Sequence, residues 1–124
     1  MSERHINDGL LQTPAFVYRE DKIISNLKYL KTRLLKTNLV NLLFSLKPFA
    51  MLDGIALIKD LINGFSASSI FEAKLVREAI GYEGTIHITT PGLKSNDIRK
   101  INEICDYLCF NTASQLVRTI QKKN

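Results

Sequence analysis

Four short stretches of the chain alternate apolar and polar residues, and longer stretches with helical apolar spacing lie between them. The alternating stretches predict strands at 39–47, 64–68, 85–90 and 107–111. Pro14 to Tyr18 reads as a short extended run. A helix is then expected from Glu20 or Asp21 to about Lys36, because Ile23, Ile24, Leu27, Leu30 and Leu34 share one side. The next helix is expected over 51–62, with Ile55, Ile58, Leu61 and Ile62 on one side and Asn63-Gly64 as its stop. Ser69-Ile70-Phe71-Glu72 is a capping-box pattern that opens a helix ending at Ile80, before Gly81. Pro91-Gly92 predicts a turn, and Ser95 is the expected cap of a helix reaching about Ile104. Thr112-Ala113-Ser114-Gln115 repeats the capping-box pattern before a last helix with Leu116, Val117 and Ile120 as its apolar side.

Strict strand–helix alternation predicts a parallel sheet. The expected strand ends, Lys47, Ser68, Thr89 and Asn111, recur at a near-constant interval, which reads as a repeated βα unit. Alternate residues of a strand share a face. One face carries Leu42, Phe44, Leu46, Phe65, Ala67, Ile86, Ile88, Leu108 and Phe110, all apolar. The other carries Leu43, Ser45, Lys47, Gly64, Ser66, Ser68, Thr85, His87, Thr89, Tyr107, Cys109 and Asn111, which are largely polar. A sheet covered by helices on both sides needs two apolar faces. Helices outside and polar groups inside instead fit the wall of a (β/α) barrel, whose site lies at the carboxyl ends of the strands. A full barrel has eight strands and typically about 250 residues. The expected fold is therefore α/β, a partial TIM-type (β/α)8 barrel made of its first four βα units. Parallel strands would lie inside and helices outside.

Composition narrows the picture further. The chain has 124 residues, 45% hydrophobic, and a net charge of +5. The positive residues cluster at Lys22, Lys28, Lys31, Arg33 and Lys36, and again at Arg118, Lys122 and Lys123. They are read as solvated helix faces. No nucleic-acid motif accompanies them, so nucleic acid is not an expected partner. No apolar run is long enough to span a bilayer, and the first residues, expected to be frayed over 1–12, resemble no signal segment. A cytoplasmic protein is the expectation. Cys105 and Cys109 lack the partners of a zinc site, so they are expected to be reduced and partly buried, and no metal is expected.

Lys47 stands out chemically. It closes an apolar run, and Pro48 biases it toward an extended conformation. A lysine there either snorkels to solvent or serves as an amine for Schiff-base chemistry.

Five segments in order bear on that choice: Thr13-Pro14-Ala15-Phe16-Val17-Tyr18, Ser45-Leu46-Lys47-Pro48-Phe49, Gly64 to Ala73, Thr90-Pro91-Gly92-Leu93-Lys94, and Phe110 to Leu116. Together they resemble the amino-terminal half of the barrel-fold, pyridoxal-phosphate-dependent decarboxylases that act on ornithine, arginine and diaminopimelate. The closest resemblance is to the carboxynorspermidine (carboxyspermidine) decarboxylases. The resemblance implies that Lys47 binds pyridoxal phosphate through a Schiff base. It further implies that the substrate is a carboxylated polyamine, that norspermidine or spermidine is the product, and that the full-length enzyme is a homodimer. By the same resemblance Ser66, Ser68 and Glu72 are candidate cofactor contacts, although Ser66 stands where relatives often place an aspartate. Glu72 is read equally as the second half of its capping box. His87 and Asn111 are weaker candidates for lining the substrate site, with core hydrogen bonding and helix capping as their alternatives.

The family's glycine-rich phosphate loop, its partner for the pyridine nitrogen, its ring-stacking histidine and its carboxy-terminal β-domain have no counterpart in this sequence. The chain is expected to be a fragment, inactive alone. Other readings are a non-catalytic half-barrel that assembles with a partner chain, a racemase, or a pyridoxal-phosphate homeostasis protein.

Overall fold

A computed structural model describes residues 13–34 and 40–121. The elements alternate as the sequence pattern predicts. They are α1 (Glu20–Leu34), β1 (Leu43–Ser45), α2 (Leu52–Ile58), a 3-10 turn (Lys59–Leu61), β2 (Gly64–Ala67), α3 (Ile70–Ile80), β3 (Thr85–Thr89), α4 (Ile98–Ile104), β4 (Tyr107–Cys109) and α5 (Ala113–Gln121). The four strands form one parallel sheet in the order β1-β2-β3-β4.

The two faces of the sheet differ as expected. Leu46, Phe65, Ala67, Ile86 and Ile88 point to the helical side and are buried with Leu27 of α1, Ile55 and Ile58 of α2, Ala73, Val76 and Ile80 of α3, and Ile101 of α4. Neighbouring helices pack in sequence, α1 on α2, α2 on α3 and α3 on α4. Burying each large aliphatic or aromatic side chain contributes roughly 1.5–3 kcal/mol, so this layer dominates cohesion. The opposite face runs across the sheet in register as Ser45, Ser66, His87 and Tyr107. Gly64 permits close strand approach, because a Cβ there would lie 2.6 Å from the Thr85 carbonyl oxygen.

Several boundaries depart from the sequence pattern. The first strand is shorter than 39–47, and its expected start lies outside the described residues. Leu46 still donates its N–H to Ser66 O at 3.1 Å, but Phe49 N–H then turns back to Leu46 O at 3.0 Å, so Lys47 lies in a turn beyond the strand. The second helix tightens into its 3-10 turn at Lys59 rather than continuing to 62. Ser95 is not the cap of α4. Asp97 N–H closes a turn on Lys94 O at 3.0 Å, and the helix begins only after it. Thr89 pairs with Cys109, so Asn111 lies beyond the level of the other strand ends instead of on it. The expected apolar side of α5 is not covered among the described residues, with Leu116, Val117 and Ile120 all exposed.

The end of the sheet opposite the strand tips is held by a polar pin. Arg77, on α3, donates from Nε and Nη2 to Ile104 O at 3.2 and 2.7 Å, and from Nη1 to Gly81 O at 2.8 Å. Its Nη2 also meets Asp106 Oδ2 at 3.1 Å, and that oxygen accepts from Ile86 N–H at 2.7 Å. Gly81 caps α3 at φ 59, a backbone region that favours glycine. Arg77 thus satisfies carbonyls at the ends of two helices while fixing the entry of β3. Arg77→Ala is expected to lower the unfolding free energy by about 2 kcal/mol. An unchanged urea midpoint for this variant would contradict the pin.

Candidate active site at the strand ends

Lys47 sits between two anchored residues. Leu46 before it is buried. Phe49 after it packs edge-on against Tyr18 and Phe44, with ring centroids 5.5 and 6.3 Å apart. Phe44 in turn meets the buried Phe65. The Phe49 ring also occupies the space where a Cβ of residue 54 would lie, so Gly54 makes room for it. Lys47 itself is exposed, and among the described residues no hydrogen bond or ion pair engages its ammonium. The peptide turn is fixed and the amine is free.

The segment after β2 is fixed differently. Ser69 Oγ accepts from Glu72 N–H at 3.2 Å, so the predicted cap forms. Glu72 reaches one residue further back than a simple capping box requires. Its carboxylate accepts from Ser68 N–H at 2.6 Å and from Ser68 Oγ at 2.9 and 3.0 Å. A negative charge at a helix N-terminus is favoured by the unpaired amides there. Ser68 and Glu72 are therefore brought together, with Ser68 on the rim.

The segment after β4 repeats this construction. Thr112 Oγ1 accepts from Gln115 N–H at 3.1 Å, and Gln115 Oε1 accepts from Asn111 N–H at 2.9 Å. Thr112 is the cap, and Asn111 is not. The Asn111 side chain instead donates to Thr90 O at 2.8 Å and Pro91 O at 3.1 Å, tying the loop after β3 to the end of β4. Ser68, Ser69, Thr90, Leu93, Lys94 and Asp97 border a shallow cleft of about 130 Å³ between these segments, and Lys47 is not part of it.

Ser66 and His87 are register neighbours in the middle of the polar face. The His87 ring stacks on Tyr107 with centroids 4.3 Å apart, and its Nε2 lies 3.1 Å from Thr85 Oγ1. No group of residues suited to a metal ion occurs among the described residues. The cysteines divide: Cys109 is exposed, whereas burial pushes the Cys105 thiol up to about 11, despite the nearby Arg77 charge. The cationic side chains Lys22, Lys28, Lys31, Arg33 and Arg118 are exposed, as solvated helix faces should be. Lys36, Lys122 and Lys123 lie outside the described residues, as do residues 1–12.

Sequence reasoning missed the Phe49–Gly54 contact, the Gln115–Asn111 bond and the Arg77 pin. Only the second had a local signal, in the parallel between Ser68…Glu72 and Asn111…Gln115.

No family model matches the chain. It is 30% identical over 105 residues to a carboxynorspermidine/carboxyspermidine decarboxylase of Campylobacter jejuni, an alignment covering 85% of this chain and 27% of that protein. A crystal structure of carboxynorspermidine decarboxylase from Campylobacter jejuni, complexed with norspermidine, superposes with a TM-score of 0.80 and 28% identity over 90% of this chain and 30% of that one. The chain resembles part of a carboxynorspermidine decarboxylase. It is also 30% identical over 105 residues to a carboxyaminopropylagmatine decarboxylase of Synechocystis, covering 85% of this chain and 26% of that relative. The chain thus spans only about a quarter of the length of these curated decarboxylases. The structural match bears out the α/β reading and the partial barrel of four parallel units. Among the described residues no helix is long and apolar enough to cross a membrane.

Gly→Ala inside a helix ordinarily stabilises by about 1 kcal/mol. At position 54 the sign is expected to reverse, because the new methyl displaces Phe49, at a cost of about 1–3 kcal/mol. Denaturation midpoints and the backbone amide shifts of Lys47 and Phe49 in Gly54→Ala report both consequences. A stabilised variant with unmoved amides would exclude the clamp.

Proposed function

We propose that the chain provides the lysine-bearing part of a pyridoxal-phosphate-dependent decarboxylase acting on carboxynorspermidine or carboxyspermidine. The observation that carries this reading is the placement of Lys47. Its exposed, unengaged amine follows the first strand of a four-unit sheet that superposes on a carboxynorspermidine decarboxylase. Such an amine suits Schiff-base chemistry with an aldehyde.

The residues present fit one end of the cofactor. Lys47 would hold it covalently, and the polar row Ser45, Ser66, His87 and Tyr107 offers hydrogen-bonding surface on the adjoining sheet face. The Ser68 and Glu72 amides at the start of α3 are already taken, Ser68 N–H by the Glu72 carboxylate and Glu72 N–H by Ser69 Oγ. Pyridoxal phosphate, when bound, supplies the electron sink that makes loss of CO₂ from an amino acid feasible. Leu46 and Phe49 keep the lysine turn in place. Glu72 orients Ser68, so these two act at the rim as positioning residues. Asn111 fixes the loop after β3 rather than touching substrate. Norspermidine or spermidine is the proposed product, and the assembled enzyme is proposed to be a homodimer.

A second reading has its own support. The outer edges of β1 and β4 are unpaired among the described residues, and α5 exposes Leu116, Val117 and Ile120. Unpaired edges favour addition of further strands, so a half-barrel completed by a partner chain is the alternative.

Incubation with pyridoxal phosphate, borohydride reduction and peptide mass mapping test the lysine. The adduct is expected predominantly on Lys47 and is lost in Lys47→Ala, whereas even labelling of the surface lysines would refute the assignment. Turnover of carboxynorspermidine by the 124-residue chain alone is expected to be undetectable in a CO₂-release assay. Robust release abolished by Lys47→Ala would overturn that part of the reading.

A further inference from the structure

The middle of the polar sheet face contains a histidine whose proton can be located from its contacts. Thr85 Oγ1 lies 3.2 Å from Asn63 O and 3.1 Å from His87 Nε2. The carbonyl can only accept, and the threonine hydroxyl has a single proton. Both contacts are hydrogen bonds in one arrangement alone: Thr85 donates to Asn63 O, and His87 donates Nε2–H to Thr85. The bond at one ring nitrogen sets the state of the other. Neutral His87 therefore carries its acceptor lone pair on Nδ1, and the described residues provide Nδ1 with no partner. Stacking on Tyr107 holds the ring plane.

We propose that His87 Nδ1 is a specificity-determining acceptor for an amine N–H of the ligand. The inference rests on the polyamine reading above and adds a residue and an atom to it. The surroundings favour an amine. Ser45 and Ser66 lie in the same register row and add neutral hydroxyl acceptors. The described residues on this face of the four strands are otherwise Leu43, Gly64, Thr85, Thr89, Tyr107 and Cys109, none of which is a cation that would select an anion. A neutral imidazole nitrogen discriminates for a donor and against a carboxylate or phosphate oxygen, which would face its lone pair.

Nitrogen NMR of the histidine-labelled chain tests this directly, with norspermidine as the probe. His5, the other histidine, is assigned through His5→Gln. At a pH where the imidazole is neutral, the proton is expected on Nε2, and Thr85→Val should erode that preference. Norspermidine should then shift the Nδ1 resonance saturably. His87→Phe keeps a ring to stack on Tyr107 but should weaken norspermidine binding about tenfold or more. His87→Asn should restore most of it, because its carbonyl oxygen can take the Nδ1 role. Amide spectra establish that each variant is folded. A dominant Nδ1–H tautomer, an unresponsive His87 at high norspermidine, or unchanged binding by His87→Phe would each overturn the proposal. Failure of Lys47 to react with pyridoxal phosphate beside an intact His87 response would instead overturn the enzyme reading and leave this one standing.

Discussion

One layer of aliphatic side chains between the sheet and its helices holds the four units together. Leu46, Phe65, Ala67, Ile86 and Ile88 supply the sheet side, and Ile55, Ile58, Ala73, Val76 and Ile101 the helical side. Because the side-chain period of a strand is two, committing these residues to the helices commits every second residue to the other face. The positions of Ser45, Ser66 and His87 follow from the burial of their neighbours. A register slip of one residue would bury His87 and expose Ile86 and Ile88, so hydrophobic packing and the polar row are enforced together.

Charge is distributed with similar economy. Asp106 and Arg77 neutralise each other at the far end of the sheet, where they also satisfy main-chain groups. Glu72 is matched to the amide and hydroxyl of Ser68, just ahead of α3. The formally charged groups of the strand-end region are thus either paired with backbone or, like Lys47, left to water. The middle of the polar face holds hydroxyls and an imidazole rather than carboxylates or ammonium groups, so hydrogen-bond direction contributes to what it can recognise.

Much of this was legible in the sequence because it is local. Alternation revealed the two faces, and the Ser69…Glu72 and Thr112…Gln115 spacings revealed the two side-chain caps. Strand ends were less legible. Lys47 falls outside β1 because Phe49 turns back on Leu46 and packs against Phe44, the gap at Gly54 and, from a distant part of the chain, Tyr18, contacts that the alternation of apolar and polar residues does not reveal. The start of α4 shifted because Lys94 and Asp97 close a turn that competes with a cap at Ser95. Asn111 was misread as level with Thr89 because equal spacing along the chain does not fix pairing across the sheet, where Thr89 meets Cys109. The apolar stripe of α5 was recognised correctly as a stripe, but burial depends on what lies opposite.

The two reach-back caps occur after β2 and after β4, whereas the helices after β1 and β3 begin without a side-chain bond at Met51 or Asp97. The structural repeat is therefore a pair of βα units, one opened by a side-chain cap and one not. Lys47 and Lys94 both follow the strands whose helices lack such a cap, and their segments are held by neighbours instead, Lys47 by the packing of Phe49 and the Lys94 loop by the Asn111 side chain.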